Sequence, residues 1–304
     1  MKVIDPIIFG IREYAALADG IAVAGNFTRG KITAKSFADG EDYHRIETEV
    51  VKRHVVVVGG TVDDRSTLEI YDVASGLISF GVESLTLVIP YFGYSTMERA
   101  VKRGEIVKAK TRARLLSSIP YAAQGNRLLL LDLHAAGIPH YFEGAVRAVH
   151  VYAEDLVIAA ARSLAGDDFV FACTDAGRAK WVESLANKIG VDAAFVFKRR
   201  VDGNTTQITG VSAKVEGRNV VIYDDMIRTG GSLIDAGRAY RDAGARKLWA
   251  IATHGVFPGD ALARIEATKI FESIVVTDSH PRAVASSFLR VDSVARLYAE
   301  KILE

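Results

Sequence analysis

The chain has 304 residues, enough for roughly two domains of about 150 residues each, and its 38 basic residues nearly cancel 37 acidic ones. That balance argues against a general nucleic-acid or membrane-surface binder. Hydrophobic residues make up 49% of the chain, enough for sizeable cores, and a lone cysteine, Cys173, excludes an intrachain disulfide or a cysteine metal cluster.

The opening MKVIDPIIFGIREY lacks the apolar core of a signal peptide. No apolar run approaches the roughly 18 residues of a membrane span, and a reducing, cytoplasmic setting is expected. The first strand-like run is HVVVVGG from His54. A helical pattern from Ser66 to Gly81 follows, with Ser66 as its expected cap. LTLVIPYFG from Leu85 and RLLLLDLHA from Arg127 are the next runs. The rhythm then restarts near residue 148, which divides the chain into domains 1–147 and 148–304.

The second half alternates in the same way. Helical patterns are expected from Ala153 to Gly166, Arg178 to Gly190 and Ser232 to Gly244, each with a terminal glycine as its stop. Between and after them come FVFACTDAG from Phe169, AAFVFKRR from Ala193, NVVIYDD from Asn219, KLWAIATHG from Lys247 and SIVVTDSH from Ser273. Continuous apolar runs of this length read as strands buried on both faces, as in parallel sheets. Strand–helix alternation makes the fold class α/β, with doubly wound sheets.

In such sheets ligands bind beyond the carboxyl ends of the strands. Polar residues collect at those ends here: Asp132 and His134, Asp175, Lys198 with Arg199 and Arg200, and Asp224 with Asp225. The last pair opens the stretch DDMIRTGGSL. A Thr-Gly-Gly-Ser turn between a strand and a helix exposes backbone N–H groups, adds two hydroxyls and carries the positive end of the helix dipole, which makes a phosphate cradle. The two carboxylates before it suit sugar hydroxyls or a divalent metal carried with the substrate.

VVIYDDMIRTGGSL resembles the ribose-phosphate loop shared by phosphoribosyltransferases and ribose-phosphate diphosphokinases. FADGEDYHRIE from Phe37, VIPYFGYS from Val88, DLHAAGIPHYFEG from Asp132, TDAGRAKWVESLA from Thr174, FKRR from Phe197 and THGVFPGDALARIE from Thr253 are similar to diphosphokinase segments, in order, from about residue 8 to the end. The resemblance therefore selects the ribose-phosphate diphosphokinase family, with two phosphoribosyltransferase-like domains. The second would carry the ribose 5-phosphate loop, the first the nucleotide side and subunit contacts, and the last helix would pack back on the first.

That family moves the diphosphoryl group of ATP to the anomeric hydroxyl of ribose 5-phosphate with Mg²⁺. By resemblance, Lys198 and Arg200 are the catalytic basic pair, and His134 and Asp175 are metal ligands. Asp224, Asp225, Arg228, Thr229, Gly230, Gly231 and Ser232 would hold ribose 5-phosphate. Phe37, Asp39, Glu41, Glu98, Arg99 and His134 would contact ATP, with Phe37 and Glu41 supplied by a neighbouring subunit. The resemblance implies a homo-oligomer, dimer or hexamer, and neither a nucleic-acid nor a membrane partner.

Two departures stand out. Thr96, Met97 and Glu98 occupy the place of a family Arg-Gln-Asp triplet that contacts ATP, and Arg228 replaces an acidic residue in the ribose-phosphate loop. Val101 to Leu116 is unusually basic. A diphosphokinase using another nucleotide or pentose phosphate, or an inactive regulatory homologue, are the alternatives these departures leave.

Overall fold

The computed structural model describes residues 5–200 and 206–304. Two compact units emerge: residues up to Tyr152 with Ser279–Pro281 and Ser293–Glu304, and Ala153–Asp278 with Arg282–Asp292.

In the first unit, β1 (Ile7–Gly10), β2 (Thr28–Arg29) and the hairpin β3 (Ile32–Ser36) and β4 (Asp42–Ile46) precede β5 (His54–Val58), β6 (Ser84–Ile89), β7 (Asn126–Leu131) and β8 (Arg147–Val151). Six of these strands form one sheet in the order β2-β1-β5-β6-β7-β8, parallel throughout. Val55 to Val58 and Leu128 to Leu131 are fully buried, as strands covered on both faces must be. The helices are α1 (Ala15–Gly25), α2 (Asp64–Ser79) and α3 (Lys108–Ser117). Because β8 starts at Arg147, a boundary at 148 would cut a strand of this sheet. The units divide after Tyr152 instead.

The second unit holds α4 (Glu154–Ala165), β9 (Val170–Cys173), α5 (Ala179–Ile189), β10 (Asp192–Ala194), β11 (Val196–Arg200), β12 (Thr206–Val211), β13 (Asn219–Ile227), α6 (Gly231–Asp242), β14 (Lys247–Gly255), α7 (Ala261–Ala267), β15 (Ile274–Thr277) and β16 (Leu289–Asp292). Its sheet, β10-β9-β13-β14-β15-β16, is again parallel. The final helix, α8 (Ala295–Leu303), belongs to the first unit and lies against α1. Gly20 allows that approach, since a Cβ there would stand 3.2 Å from the Ala295 Cβ.

Two local expectations change. The cap of α2 is Asp63, whose Oδ1 accepts from the Ser66 N–H at 2.8 Å, so Ser66 lies inside the first turn. The run AAFVFKRR is not one buried strand. It splits into the short edge strand β10 and into β11, which leaves the main sheet to pair antiparallel with β12. The exposed ring of Phe197 accompanies that departure. The helix stops at Gly166, Gly190 and Gly244 do occur, each glycine at positive φ. Among the described residues no helix is long and apolar enough to cross a membrane.

Candidate active site

In the second unit the site is built at the carboxyl end of β13, the strand between β9 and β14. Val220 to Tyr223 are buried, and Asp224 and Asp225 follow in the last part of the strand, which ends at Ile227. Asp225 is only 2% exposed. A buried carboxylate is tolerated only when paired, and Arg178 supplies the partner: its Nη2 lies 2.7 Å from Asp225 Oδ2 and its Nε 3.2 Å from Oδ1. Burial opposes the charge on Arg178, but Asp225, with Tyr223 and Asp224 adding to it, outweighs burial and raises the guanidinium pKa. Asp224 receives the Thr174 hydroxyl at 2.7 Å and its neighbour's N–H at 2.9 Å. Burial, with the charge of Asp225 next, pushes the Asp224 carboxyl from its ordinary 3.8 up to about 8. The adjacent acids are thus one ionised, guanidinium-paired carboxylate and one that holds its proton at neutral pH. A second cation or a hydroxyl-rich ligand would complete the site.

The Thr-Gly-Gly-Ser turn starts α6 directly. Gly230 is the cap residue, with φ 80°, and as a glycine it brings no side chain to the helix N-terminus. A Cβ at Gly230 would fall 2.5 Å from Ile265 Cδ1, whereas Gly231 faces open space. Arg228, Thr229 and Ser232 are exposed at this turn, and the Thr229 carbonyl accepts from Arg264 Nη2 at 3.3 Å. Gly230→Ala should therefore destabilise the second unit by about 2 kcal/mol through its left-handed backbone alone. It should also weaken anion binding at the α6 N-terminus, as denaturant unfolding and equilibrium binding of ribose 5-phosphate would read.

Two neighbouring segments converge here. Asp175, half-exposed, accepts the Gly177 N–H at 2.8 Å in the turn after β9. β11 runs beside that turn and β12 beside α6. Lys198 and Arg200 lie on β11, paired with Ile208 and Thr206, with a register irregularity between Phe197 and Lys198. The side chains of Lys198 and Arg200, and residues 201–205 after them, lie outside the described part.

In the first unit the loops after β5, β6 and β7 lie at adjacent strand ends. Gly93 donates to the Thr61 hydroxyl at 2.7 Å, and a Cβ at Gly93 would sit 2.0 Å from the Thr61 carbonyl oxygen. Tyr94 takes a left-handed φ of 60°. Its ring lies under Lys108 Nζ at 4.8 Å and the Arg112 guanidinium at 5.0 Å. Its hydroxyl reaches Asp64, which also pairs with Arg112. The altered triplet Thr96–Glu98 therefore follows an aromatic ring flanked by two cations from α3. Glu98 pairs with the exposed Arg99 at 3.4 Å, and its carbonyl accepts the Tyr141 hydroxyl at 2.5 Å.

The loop after β7 starts with Asp132, buried and at φ 34°, a conformation that an L-residue adopts only under constraint. The Leu133 N–H donates to His150 Nε2 at 2.9 Å, which fixes the loop and leaves His134 exposed beyond it. Phe37, Asp39 and Glu41 form the tip of the β3–β4 hairpin. Glu41 N–H donates to Asp39 Oδ1 at 3.1 Å, and Phe37 N–H to the Glu41 carbonyl at 2.8 Å. Phe37 is 54% exposed. Among the described residues no three His, Cys, Asp or Glu side chains cluster as a ready metal cage.

Sequence reasoning missed Arg178, Thr174 and His150. Arg178 and Thr174 did sit in a segment that flagged Asp175. Nothing in their spacing says that they meet Asp225 and Asp224, 47 and 50 residues away.

Two parallel α/β units, each with its polar loops at the carboxyl ends of the strands, and a glycine-opened helix beside paired carboxylates define a protein with two phosphoribosyltransferase-like domains. Residues 6–119 match the family model for the N-terminal domain of ribose phosphate pyrophosphokinase, and residues 183–303 match the phosphoribosyl synthetase-associated domain. The chain is 32% identical to a ribose-phosphate pyrophosphokinase of Ralstonia nicotianae, over 93% of this chain and 90% of that protein. It is 31% identical to ribose-phosphate pyrophosphokinase 2 of Enterococcus faecalis, over 95% and 88%. The crystal structure of phosphoribosylpyrophosphate synthetase from Mycobacterium smegmatis superposes with a TM-score of 0.85 at 27% identity, covering 98% of this chain and 97% of that one. The chain belongs to the ribose-phosphate pyrophosphokinase family.

Proposed function

We infer that the protein is a ribose-phosphate pyrophosphokinase, transferring the diphosphoryl group of ATP to the anomeric hydroxyl of ribose 5-phosphate. The products are phosphoribosyl pyrophosphate and AMP. The observation that carries this reading is the N-terminus of α6, opened by Gly230 at the end of the turn that follows β13 and its Asp224–Asp225 pair. Its free N–H groups and helix dipole suit the 5-phosphate, with Thr229, Gly231, Ser232 and Arg228 around it. Asp224 and Asp225 suit the ribose hydroxyls: a hydroxyl can donate to the Asp225 carboxylate and accept from a protonated Asp224.

The anomeric oxygen attacks the β-phosphorus, the bond from that phosphorus to the α,β-bridging oxygen breaks, and AMP leaves with that oxygen. Such transfers need positioning and charge neutralisation more than covalent help. Lys198 and Arg200 are assigned to the transferring diphosphoryl group. Phe37, Asp39, Glu41, Glu98, Arg99 and His134 are assigned to the nucleotide. Mg²⁺ would supply further neutralisation, with His134 assigned to the ion that accompanies ATP and Asp175 to a second metal site. Mg²⁺ keeps several waters and binds through few protein groups plus substrate phosphates, so a single protein ligand at each position suits a metal that arrives with ATP. The exposed hairpin tip suits a homo-oligomer, dimer or hexamer, in which a second copy receives Phe37 and Glu41. A cytoplasmic setting follows from these substrates.

The test is to incubate the purified protein with ATP, Mg²⁺ and ribose 5-phosphate and quantify both products. Equal amounts of AMP and phosphoribosyl pyrophosphate are expected. No nucleoside monophosphate from ATP or any other nucleotide donor, with ribose 5-phosphate still bound, would overturn the reading.

A further inference from the structure

The hairpin of β3 and β4 has no buried side chain along either strand. Its one aromatic contact, Phe37 against Tyr43 with centroids 6.3 Å apart, stays within the hairpin. A two-stranded hairpin without an apolar face against a core is marginal in water, so its orientation must be set by polar ties. A cleft of 540 Å³ lies at the hairpin, lined by Gly40 and His44 from its side and by Leu68 and Asp72 of α2.

The ties converge on its last ladder pair, Ser36 opposite Asp42. Arg12, from the turn after β1, reaches Asp42 Oδ1 with Nη2 at 2.6 Å and Ser36 Oγ with Nη1 at 2.8 Å. Arg65, in the first turn of α2, reaches Asp42 Oδ2 with Nε at 3.0 Å, Asp42 Oδ1 with Nη2 at 2.8 Å and Ser36 Oγ with Nη2 at 2.8 Å. The Ser36 hydroxyl closes the network on Asp42 Oδ1 at 2.7 Å. The two guanidiniums come from separate elements and grip one carboxylate from different directions, which is the geometry of a clamp. Two ladder pairs further down, His44 Nε2 lies 3.3 Å from Glu69 Oε1 of α2, which also neighbours Arg12. The tip, Phe37 to Glu41, begins immediately beyond the clamp.

We propose that Asp42, held between Arg12 and Arg65, is the positioning residue that fixes the hairpin tip in the orientation in which it contacts the donor nucleotide. This rests on the reading that Phe37 and Glu41 serve that nucleotide. Asp42 itself touches no substrate, so its loss acts on the tip and through it on nucleotide binding, leaving the ribose 5-phosphate site in the second unit untouched.

Asp42→Asn removes the charge that both arginines grip, and Arg65→Met removes one grip while keeping the aliphatic stem. Both variants should retain the wild-type melting temperature, because the hairpin contributes nothing to the core. Amide hydrogen exchange at Phe37 and Gly40 should quicken about tenfold. KM for ATP should rise by a similar factor, since loss of preorganisation away from the chemistry is felt at the site. KM for ribose 5-phosphate, and kcat at saturating ATP, should stay within about twofold of wild type. Asp42→Glu, which keeps the charge, should recover most of the nucleotide affinity. Unchanged exchange at the tip, faster exchange with an unchanged KM for ATP, or equal losses for both substrates would each overturn the proposal. A wild-type protein that neither binds ATP nor forms AMP would sink the functional reading instead. The exchange measurement would still decide the clamp.

Discussion

Lys198→Ala should lower kcat about 10³-fold, in the range measured for cationic groups that neutralise a transferring phosphoryl group. KM for ribose 5-phosphate should hardly move. The asymmetry has a structural basis. Lys198 lies on β11, which pairs only with β12 in a ribbon apart from the six-stranded sheet. The thermal transition should stay at its wild-type midpoint, so that the lower kcat reads a lost charge and not a lost fold. The register irregularity between Phe197 and Lys198 adds a second argument. Bulges interrupt a ladder where a side chain must be re-aimed, and they recur beside active sites. Steady-state kinetics with product quantification checks the expectation. A kcat within a few-fold of wild type would remove Lys198 from the catalytic machinery.

The second large effect is expected at Arg178, and it is thermodynamic before it is kinetic. Asp225 is buried, and Arg178 is the guanidinium that compensates it. Removing one member of a buried ion pair costs about 3–5 kcal/mol, because the other charge stays behind uncompensated. Arg178→Ala should lower the stability of the second unit by that amount at pH 8. The loss should shrink as pH falls, because protonation removes the buried charge that the substitution leaves uncompensated. The wild-type baseline for this experiment slopes as well. Asp224 titrates at about 8 in the folded protein against an ordinary 3.8. Between those values the folded state holds a proton that the unfolded state has released, so stability of the unliganded protein falls as pH rises from about 4 to about 8 and levels off above. Asp224→Asn should abolish that component of the slope. Denaturant unfolding across this pH window for wild type and both variants tests the assignment. A wild-type curve as flat as that of Asp224→Asn would mean that Asp224 is already ionised.

Much of the architecture was legible along the chain. Runs such as HVVVVGG and RLLLLDLHA are apolar because both faces of a parallel strand are covered, and burial of that kind is written in consecutive residues. The glycines that end α4, α5 and α6 were legible for a similar reason: positive φ after a helix is a local requirement that few other residues meet. The same holds for Thr229 to Ser232, where an exposed helix N-terminus needs glycine at a left-handed position close against Ile265.

What escaped the sequence is of another kind. The short strands β1, β2, β10 and β16 and the hairpin β3–β4 carry too few residues for a period to emerge. AAFVFKRR looked like one strand because apolar content does not tell which neighbour a strand will pair with, and pairing is what divides β10 from β11. The meeting of Arg178 with Asp225, of Thr174 with Asp224, and of Arg12 and Arg65 with Asp42 spans 23 to 50 residues. Sequence by itself determined where buried strands end and which chemical groups stand at those ends, because burial and turn geometry are local demands on residue type. Only the tertiary structure decided which charges compensate one another, which carboxyl keeps its proton and what holds the hairpin, because electrostatic energy depends on distance in space and on burial, and neither is a property of position along the chain.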